Sequence, residues 1–454
     1  MLQKLLGQIR EKLGQRQLFY VCNDPERALG LERILPNYHI VCIDDSPLID
    51  QLLKKGVSVF CLERALGKQN VVYRSSLKLL EHPRAREFIT DKSAGGKPLI
   101  IVFKSSPAIE KAALEIKVEL LNPFAKINAR FEQKLSQYKI LQPLGIPFPE
   151  TILGVFGKLS YSEITHRLGQ KFILQFDRGH TGEGTMLIDR PKTYETLQRQ
   201  FPRREIRCSR YISGPAYTVN CCTGRQGTSA AGLSYQITGE PTCTSGRFST
   251  CGNDFTDPFK EFAKIRLELT KMADLVGKAL AEADYRGLFG LDTVYNRENG
   301  KLYFVETNVR QPASITFHTE LQLAKDQVPL LLYHYCELLG VTYPEPKIRY
   351  DLHALPAFQV FLRNTREQDV VLKQNSPRGI YNMQNMKWLK DGYRYEDIVD
   401  DTQFLFTSIS AGRKVSPNSQ IARIQARRSL LGPDGLLSPI TAEFTKYLSE
   451  RLLK

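Results

Sequence analysis

Apolar residues in the first 125 positions fall into two alternating rhythms. QLFYVCN, HIVCIDD, VSVFCLE and PLIIVFKSS are short apolar runs of strand length, rich in β-branched and aromatic residues. PERALGLERIL, PLIDQLLKKG and SPAIEKAALEIK follow the first, second and fourth of these runs, with apolar residues at helical spacing. Such alternation predicts a parallel sheet with helices on its faces over residues 1–125. The turn after the first strand lacks Gly-x-Gly, so no dinucleotide fingerprint is present and neither NAD nor FAD is expected. Asn23 and Asp24 at that turn are expected to cap the following helix. The leading MLQKLLGQIREKLGQRQ reads as a helix with charges throughout, unlike a secretory signal.

Beyond residue 125 the pattern changes. FEQKLSQYKILQPLGIPFPET predicts an amphipathic helix over 131–144, ended by Gly145 and the prolines Pro147 and Pro149. KFILQFDRGHTGEGTMLI reads as strand, glycine-rich loop, strand, and IRCSRYISGPAYTVNCC as strand, turn, strand. LFGLDTVYN and KLYFVETNV are strands joined by the turn chemistry of RENG. After 345, a proline-bearing linker leads to the strand-like PAFQVFLRN and TQFLFTSIS and a closing helix, PITAEFTKYLSERLLK. These predict a small α+β domain over 345–454, with QARR as a solvated edge strand.

Candidate chemistry concentrates in residues 285–314. Glu306 and Asn308 are two apart and so share a strand face, and Asp292 can lie across the ladder from them. Two carboxylates and an amide oxygen form a hard, all-oxygen donor set suited to Mg²⁺. Arg310 brings a fixed positive charge to the same face. In DRGHTGEG, Gly179, Gly182 and Gly184 allow positive φ and a nest of N–H groups facing an anion. No Gly-Lys-Ser/Thr follows, so this is not a Walker loop.

Together these segments resemble the ATP-grasp superfamily over about residues 126–340. The resemblance implies a two-lobed ATP-grasp module over 126–344, preceded by the α/β domain of 1–125 and followed by the small domain of 345–454. It implies that Asp292, Glu306 and Asn308 hold two Mg²⁺ ions, for which Mn²⁺ can substitute, on the phosphates of ATP. It places Lys134, eleven residues before Gly145, and the loop of Gly179, His180, Thr181, Gly182 and Gly184 at those phosphates. Cys208, Ser209 and Tyr211 fall on the strand and turn that meet adenine and ribose. Three positions depart from the family pattern: Gln175 replaces a phosphate-binding lysine, and Ser209 and Ala216 stand where acidic residues are usual.

The implied activity is ADP-forming ligation of a carboxylic acid to an amine through an acyl phosphate, with Arg310 steadying the reacting carboxylate. A non-catalytic nucleotide-binding or regulatory protein and a phosphoryl-transfer or carboxylation variant are the alternatives. No Met-Lys-Met biotin-carrier segment is present. The segment GLSYQITGEPTCTSGRFSTCGNDF is either a surface connection or a substrate loop offering Arg247, Asn253 or Asp254.

Composition changes this picture little. The chain of 454 residues carries a net charge of +15, spread along it rather than set in one block. Such a field suits an anionic nucleotide and a carboxylate substrate. No aromatic-interleaved RNA motif accompanies it, so no specific nucleic-acid partner is expected. No apolar run approaches the ~20 residues of a membrane span. The nine cysteines lack C-x-x-C spacing and are expected as buried thiols in a reducing, cytoplasmic setting. A homodimer is compatible with the resemblance.

Overall fold

The N-terminal alternation folds as a parallel sheet. The computed structural model describes all residues except 36, 72–73, 178–183, 347–348, 374–377 and 454. Strands β1 (Leu18–Cys22), β2 (Tyr38–Cys42), β3 (Ser58–Cys61), β4 (Leu99–Val102) and β5 (Glu119–Leu120) lie in the order β3-β2-β1-β4-β5. Every pairing is parallel. Leu18 and Tyr20 pack into one core and Phe19 and Val21 into another, as a sheet covered on both faces requires.

Two expected helices differ from their patterns. PERALGLERIL forms only a 3₁₀ turn, Pro25–Ala28, where Asp24 Oδ1 accepts from Glu26 N at 2.9 Å. Gly30 accounts for the stop: its φ is +107°, and a Cβ there would lie 2.8 Å from Thr319 Cγ2. The expected helix over 131–144 is broken into Ala125–Glu132 and Lys134–Leu141, followed by a 3₁₀ turn that ends at Gly145. The break at Gln133 leaves amides that Asp177 satisfies from outside. Lys134 N donates to its carbonyl at 3.3 Å and Leu135 N to its Oδ1 at 3.0 Å, replacing a local cap.

A small antiparallel lobe follows. Strands β6 (Thr151–Val155), β7 (Phe172–Phe176), β8 (Thr185–Ile188) and β9 (Glu205–Arg210) lie in the order β6-β9-β7-β8. Helices Tyr161–Leu168 and Pro191–Gln200 accompany it. The core includes Phe172, Leu174, Phe176, Ile206 and Cys208, which leaves the alternate residues on the other face.

The larger sheet begins with β10 (Ala216–Gly224), β11 (Gly227–Thr238), β12 (Thr250–Asp254), β13 (Gly287–Asn296) and β14 (Lys301–Asn308), ordered β14-β13-β10-β11-β12. Adjacent Cys221 and Cys222 enter opposite cores, as strand alternation demands. The sheet does not end at residue 344. Strand β12 pairs with Phe358–Arg363, and the ladder continues through Gln420–Ala426, Gln403–Ser408 and Gly379–Asn382 to Trp388–Lys390. QARR is therefore not a solvated edge. Gln425 and Ala426 are buried between strands on both sides, and the Arg427 guanidinium lies 4.7 Å from the Tyr395 ring centroid. Among the described residues, no helix is long and apolar enough to cross a membrane.

Candidate active site between the two lobes

A change of phase in one strand builds the carboxylate cluster. Strict alternation along KLYFVETN would put Leu302, Phe304, Glu306 and Asn308 on a single face, mixing core with charge. The structure resolves this with a bulge. Asp292 pairs with Glu306 but Thr293 pairs with Phe304, so Val305 is the extra residue. Leu302, Phe304 and Val309 stay in the core against Leu291, while Glu306 and Asn308 turn to the other face with Asp292.

There the three polar side chains meet. Asn308 Nδ2 donates to Asp292 Oδ2 at 2.9 Å and lies 3.4 Å from Glu306 Oε1. Burial pushes the Asp292 carboxyl above its ordinary range, against the opposing pull of the Thr218 hydroxyl and nearby Lys134. A buried carboxylate with a second one opposite it favours a cation between them. Among the described residues no group of three His, Cys, Asp or Glu side chains converges, so the donor set is these two carboxylates and the Asn308 amide. Its all-oxygen chemistry fits Mg²⁺.

Cations surround the cluster. Lys134, at the start of its helix, bonds Glu306 Oε2 through Nζ. Its pKa is lowered to about 7, first by burial and then by the neighbouring Arg207 charge. Buried Gln137 ties this helix to the preceding one by donating to the Phe131 carbonyl at 2.6 Å, and to β14 by donating to the Thr307 carbonyl at 3.1 Å. Arg310 Nη1 bonds Glu132 Oε1, and Lys104 bonds the other oxygen of the same carboxylate. The N-terminal domain is thereby linked to the cluster, since Lys104 lies just past the end of β4. Phe103, beside it, carries the Arg27 guanidinium at 4.4 Å and that of Arg310 at 5.7 Å.

Gln175 faces the lobe interface, on the side of β7 away from the small-lobe core. Its Nε2 donates to Thr185 Oγ1 at 3.1 Å, and its Oε1 accepts from Arg207 Nε at 2.9 Å. Arg207 stands opposite it on β9 and reaches the larger lobe, where Nη2 donates to the Val305 carbonyl at 3.2 Å. Ser209, two residues on, is buried on the same face and bonds Thr151 Oγ1 at 3.1 Å. The Cys208 side chain points into the small-lobe core, leaving its backbone as the part able to meet a ligand. Tyr211 follows the end of β9 and is half-buried. Gly184 is described, with φ +83°, whereas Gly179, His180, Thr181 and Gly182 lie outside the described residues.

Among the described residues, the hydrogen bonds and ring contact of the three suggested substrate residues run to partners other than Asp292, Glu306 and Asn308. Asn253 is buried in β12, donating to Ser234 Oγ and accepting from Gln359 Nε2, each at 3.1 Å. Asp254 accepts from Thr256 N at 2.8 Å and from the Ser429 hydroxyl. Exposed Arg247 lies in the connection before β12, 5.9 Å from the Phe248 ring. The two ends of Gly232–Phe255 are strand, β11 to Thr238 and β12 from Thr250, so Asn253 and Asp254 satisfy neighbours there while Arg247 stays in the connection between them.

Arg207, Glu132, Gln137 and Lys104 also take part, and none belongs to the motifs that mark the site in the sequence. Arg207 had a signal, because it shares strand parity with Ser209 and opposes the apolar Ile206 and Cys208. Lys104 had another, as a charge at the carboxyl end of a parallel strand. Glu132 and Gln137 owe their roles to the break at Gln133, which the helical periodicity does not foretell.

No protein-family model matches the sequence, and no curated protein sequence does. Solved structures do match. Biotin carboxylase from Campylobacter jejuni, in a β,γ-ATP complex, superposes with a TM-score of 0.60 at 14% identity, over 96% of this chain and 95% of that one. N5-carboxyaminoimidazole synthase from Aspergillus clavatus, with ADP and the 5-aminoimidazole ribonucleotide, gives 0.56 at 12% identity over 97% and 100%. The biotin carboxylase domain of the Hydrogenobacter thermophilus 2-oxoglutarate carboxylase, with MgADP, ADP and bicarbonate, gives 0.59 at 13% identity over 91% and 86%. Likeness at these identities establishes a shared fold.

Proposed function

We propose that this chain, which has the ATP-grasp fold, is an ATP-dependent ligase that joins a carboxylate to an amine and releases ADP and phosphate. The observation that carries the reading is the meeting of Asp292, Glu306 and Asn308 with Lys134, Arg207 and Arg310 at the seam between two lobes. Clustered acids beside clustered cations suit a ligand that is itself anionic and metal-bound.

In this reading an oxygen of the substrate carboxylate attacks the γ-phosphorus as the bond to ADP breaks. The amine nitrogen then attacks the acyl carbon, phosphate leaves, and the nitrogen gives up its proton. The protein contributes positioning and charge rather than covalent chemistry. Asp292, Glu306 and Asn308 would hold Mg²⁺, which when bound screens phosphate charge. Lys134 stands against Glu306 and orients toward the same phosphates. The Lys104–Glu132–Arg310 chain keeps the Arg310 guanidinium beside the cluster, where a substrate carboxylate can exchange with Glu132.

Bicarbonate is the first acid to try. A biotin carboxylase neighbour was solved with it, and another neighbour with an aminoimidazole ribonucleotide. A carboxyl group transferred from bicarbonate to nitrogen is the smallest case of the same ligation. A cytoplasmic setting is supported by the nine free cysteines, all buried. ADP release is the test, with ATP, Mg²⁺ and pooled acids, bicarbonate included, each with and without pooled amines. ADP that appears only when acid and amine are both present supports the ligase. ATP bound but never turned over under any pairing favours the binding protein instead.

A further inference from the structure

We infer that in this chain the phosphate-contacting cation of the small lobe is Arg207, and that Gln175 is its positioning residue rather than a nucleotide contact. The inference rests on the nucleotide reading above and concerns how that ligand is held.

The Arg207 charge meets neutral groups, among them the Phe148 ring, whose centroid lies 6.0 Å from the guanidinium. Arg207 is 3% exposed, yet among the described residues it has no ion pair with a carboxylate. Its hydrogen bonds go to neutral acceptors, the Gln175 amide oxygen and the Val305 carbonyl. Nη1 is buried and has no partner among the described residues. A guanidinium without a counter-ion is among the costliest groups to bury, and burial lowers its pKa to about 10. Its position makes the charge less tolerable still, because the Lys134 ammonium repels it across the same seam. An anion between the two cations would relieve both, and polyphosphate is the anion the reading supplies.

Gln175 explains why the guanidinium stays in place. Lying directly opposite on β7, its Oε1 accepts from both Nε and Nη2, leaving Nη1 as the open donor. Its own Nε2 is fixed by Thr185 Oγ1, at the start of β8. A lysine in place of Gln175 would meet the arginine head on, so the neutral amide and the arginine go together. The two residues form a pair in which the charge has moved from β7 to β9.

Calorimetry on the full chain tests this, with MgATP and AMP as probes and thermal melting as the fold control. Arg207→Met is expected to weaken MgATP by about tenfold or more, since a charge-assisted bond is lost. AMP affinity should change by less than about twofold, and the melting temperature should hold or rise as an unpaired buried charge is removed. The double variant Gln175→Lys/Arg207→Met, with the cation returned to β7, should recover most of the MgATP affinity. Unchanged MgATP affinity in Arg207→Met would overturn the assignment, as would equal losses for MgATP and AMP with a lowered melting temperature. A wild-type chain that binds no MgATP would overturn the nucleotide reading itself, and this inference with it.

Discussion

At the scale of single residues, charge and hydrogen-bond capacity decide roles that residue type alone leaves open. Asp292, Glu306, Asn308 and Arg310 were legible because a polar group at regular spacing interrupts an apolar strand. Lys134 was legible only through resemblance, and its contact with Glu306 depends on a helix start that no local signal marks. Gln175 carries a prediction of its own. Gln175→Lys alone places an ammonium where Oε1 now accepts from Arg207, so like charges meet in a buried seam. The melting temperature should fall, and adding Arg207→Met should restore it. An unaltered melting temperature in the single variant would show that the two side chains can separate freely. A second residue-scale expectation concerns Glu306→Gln, which keeps size and polarity. Folding should persist by circular dichroism while Mg²⁺-dependent ATP turnover is lost, and full turnover would contradict the metal assignment.

At the scale of elements, departures from regularity place the chemistry. The hairpin, its strands and its RENG turn follow from alternation and turn residues. The bulge at Val305 does not, because a period of two read through Phe304 carries Glu306 toward the core. Deleting Val305 should force strict alternation, burying Glu306 or expelling Leu302 and Phe304. The expected cost is roughly 3 kcal/mol or more, given ~1.5–3 kcal/mol for each large apolar side chain exposed. Denaturant unfolding that shows no loss would mean the strand can re-register. Gly30 is the other irregular point, where a period of 3.6 predicts a helix but a tight approach to Thr319 prevails. Gly30→Val combines an unfavourable φ with a Cβ 2.8 Å from Thr319 Cγ2. It should lower the melting temperature by several degrees, whereas Gly7→Val, with open space around its Cβ, should avoid any such clash.

Over the whole molecule, the N-terminal sheet and the two antiparallel lobes agree with the sequence patterns. The continuous ladder from β14 to Trp388–Lys390 does not follow from them, because pairing between strands about a hundred residues apart leaves no local trace. Buried ionic contacts fasten these parts. Arg378 and Arg423 reach Glu26 from the part of the sheet beyond β12, at 2.6 and 2.8 Å. Beside them Glu320 accepts from Tyr395 N at 2.8 Å, and burial raises its pKa from 4.5 to about 7. Between those values the folded chain keeps a proton that the unfolded chain releases. This contribution is therefore fully present below about pH 4.5 and is lost as pH rises through about 7. Glu320→Gln should raise the melting temperature at pH 8 and have little effect at pH 4, with a gain on the order of 3 kcal/mol at most. Equal effects at both pH values would contradict the buried, protonated acid. A single calorimetric titration decides whether the seam between the lobes is a Mg²⁺-dependent ATP site. ATP should bind the wild-type chain with one-to-one stoichiometry in the presence of Mg²⁺ and far more weakly in EDTA, and Glu306→Gln should abolish that difference. Absence of ATP binding to the folded wild type, or the same Mg²⁺ dependence in Glu306→Gln, would contradict the account.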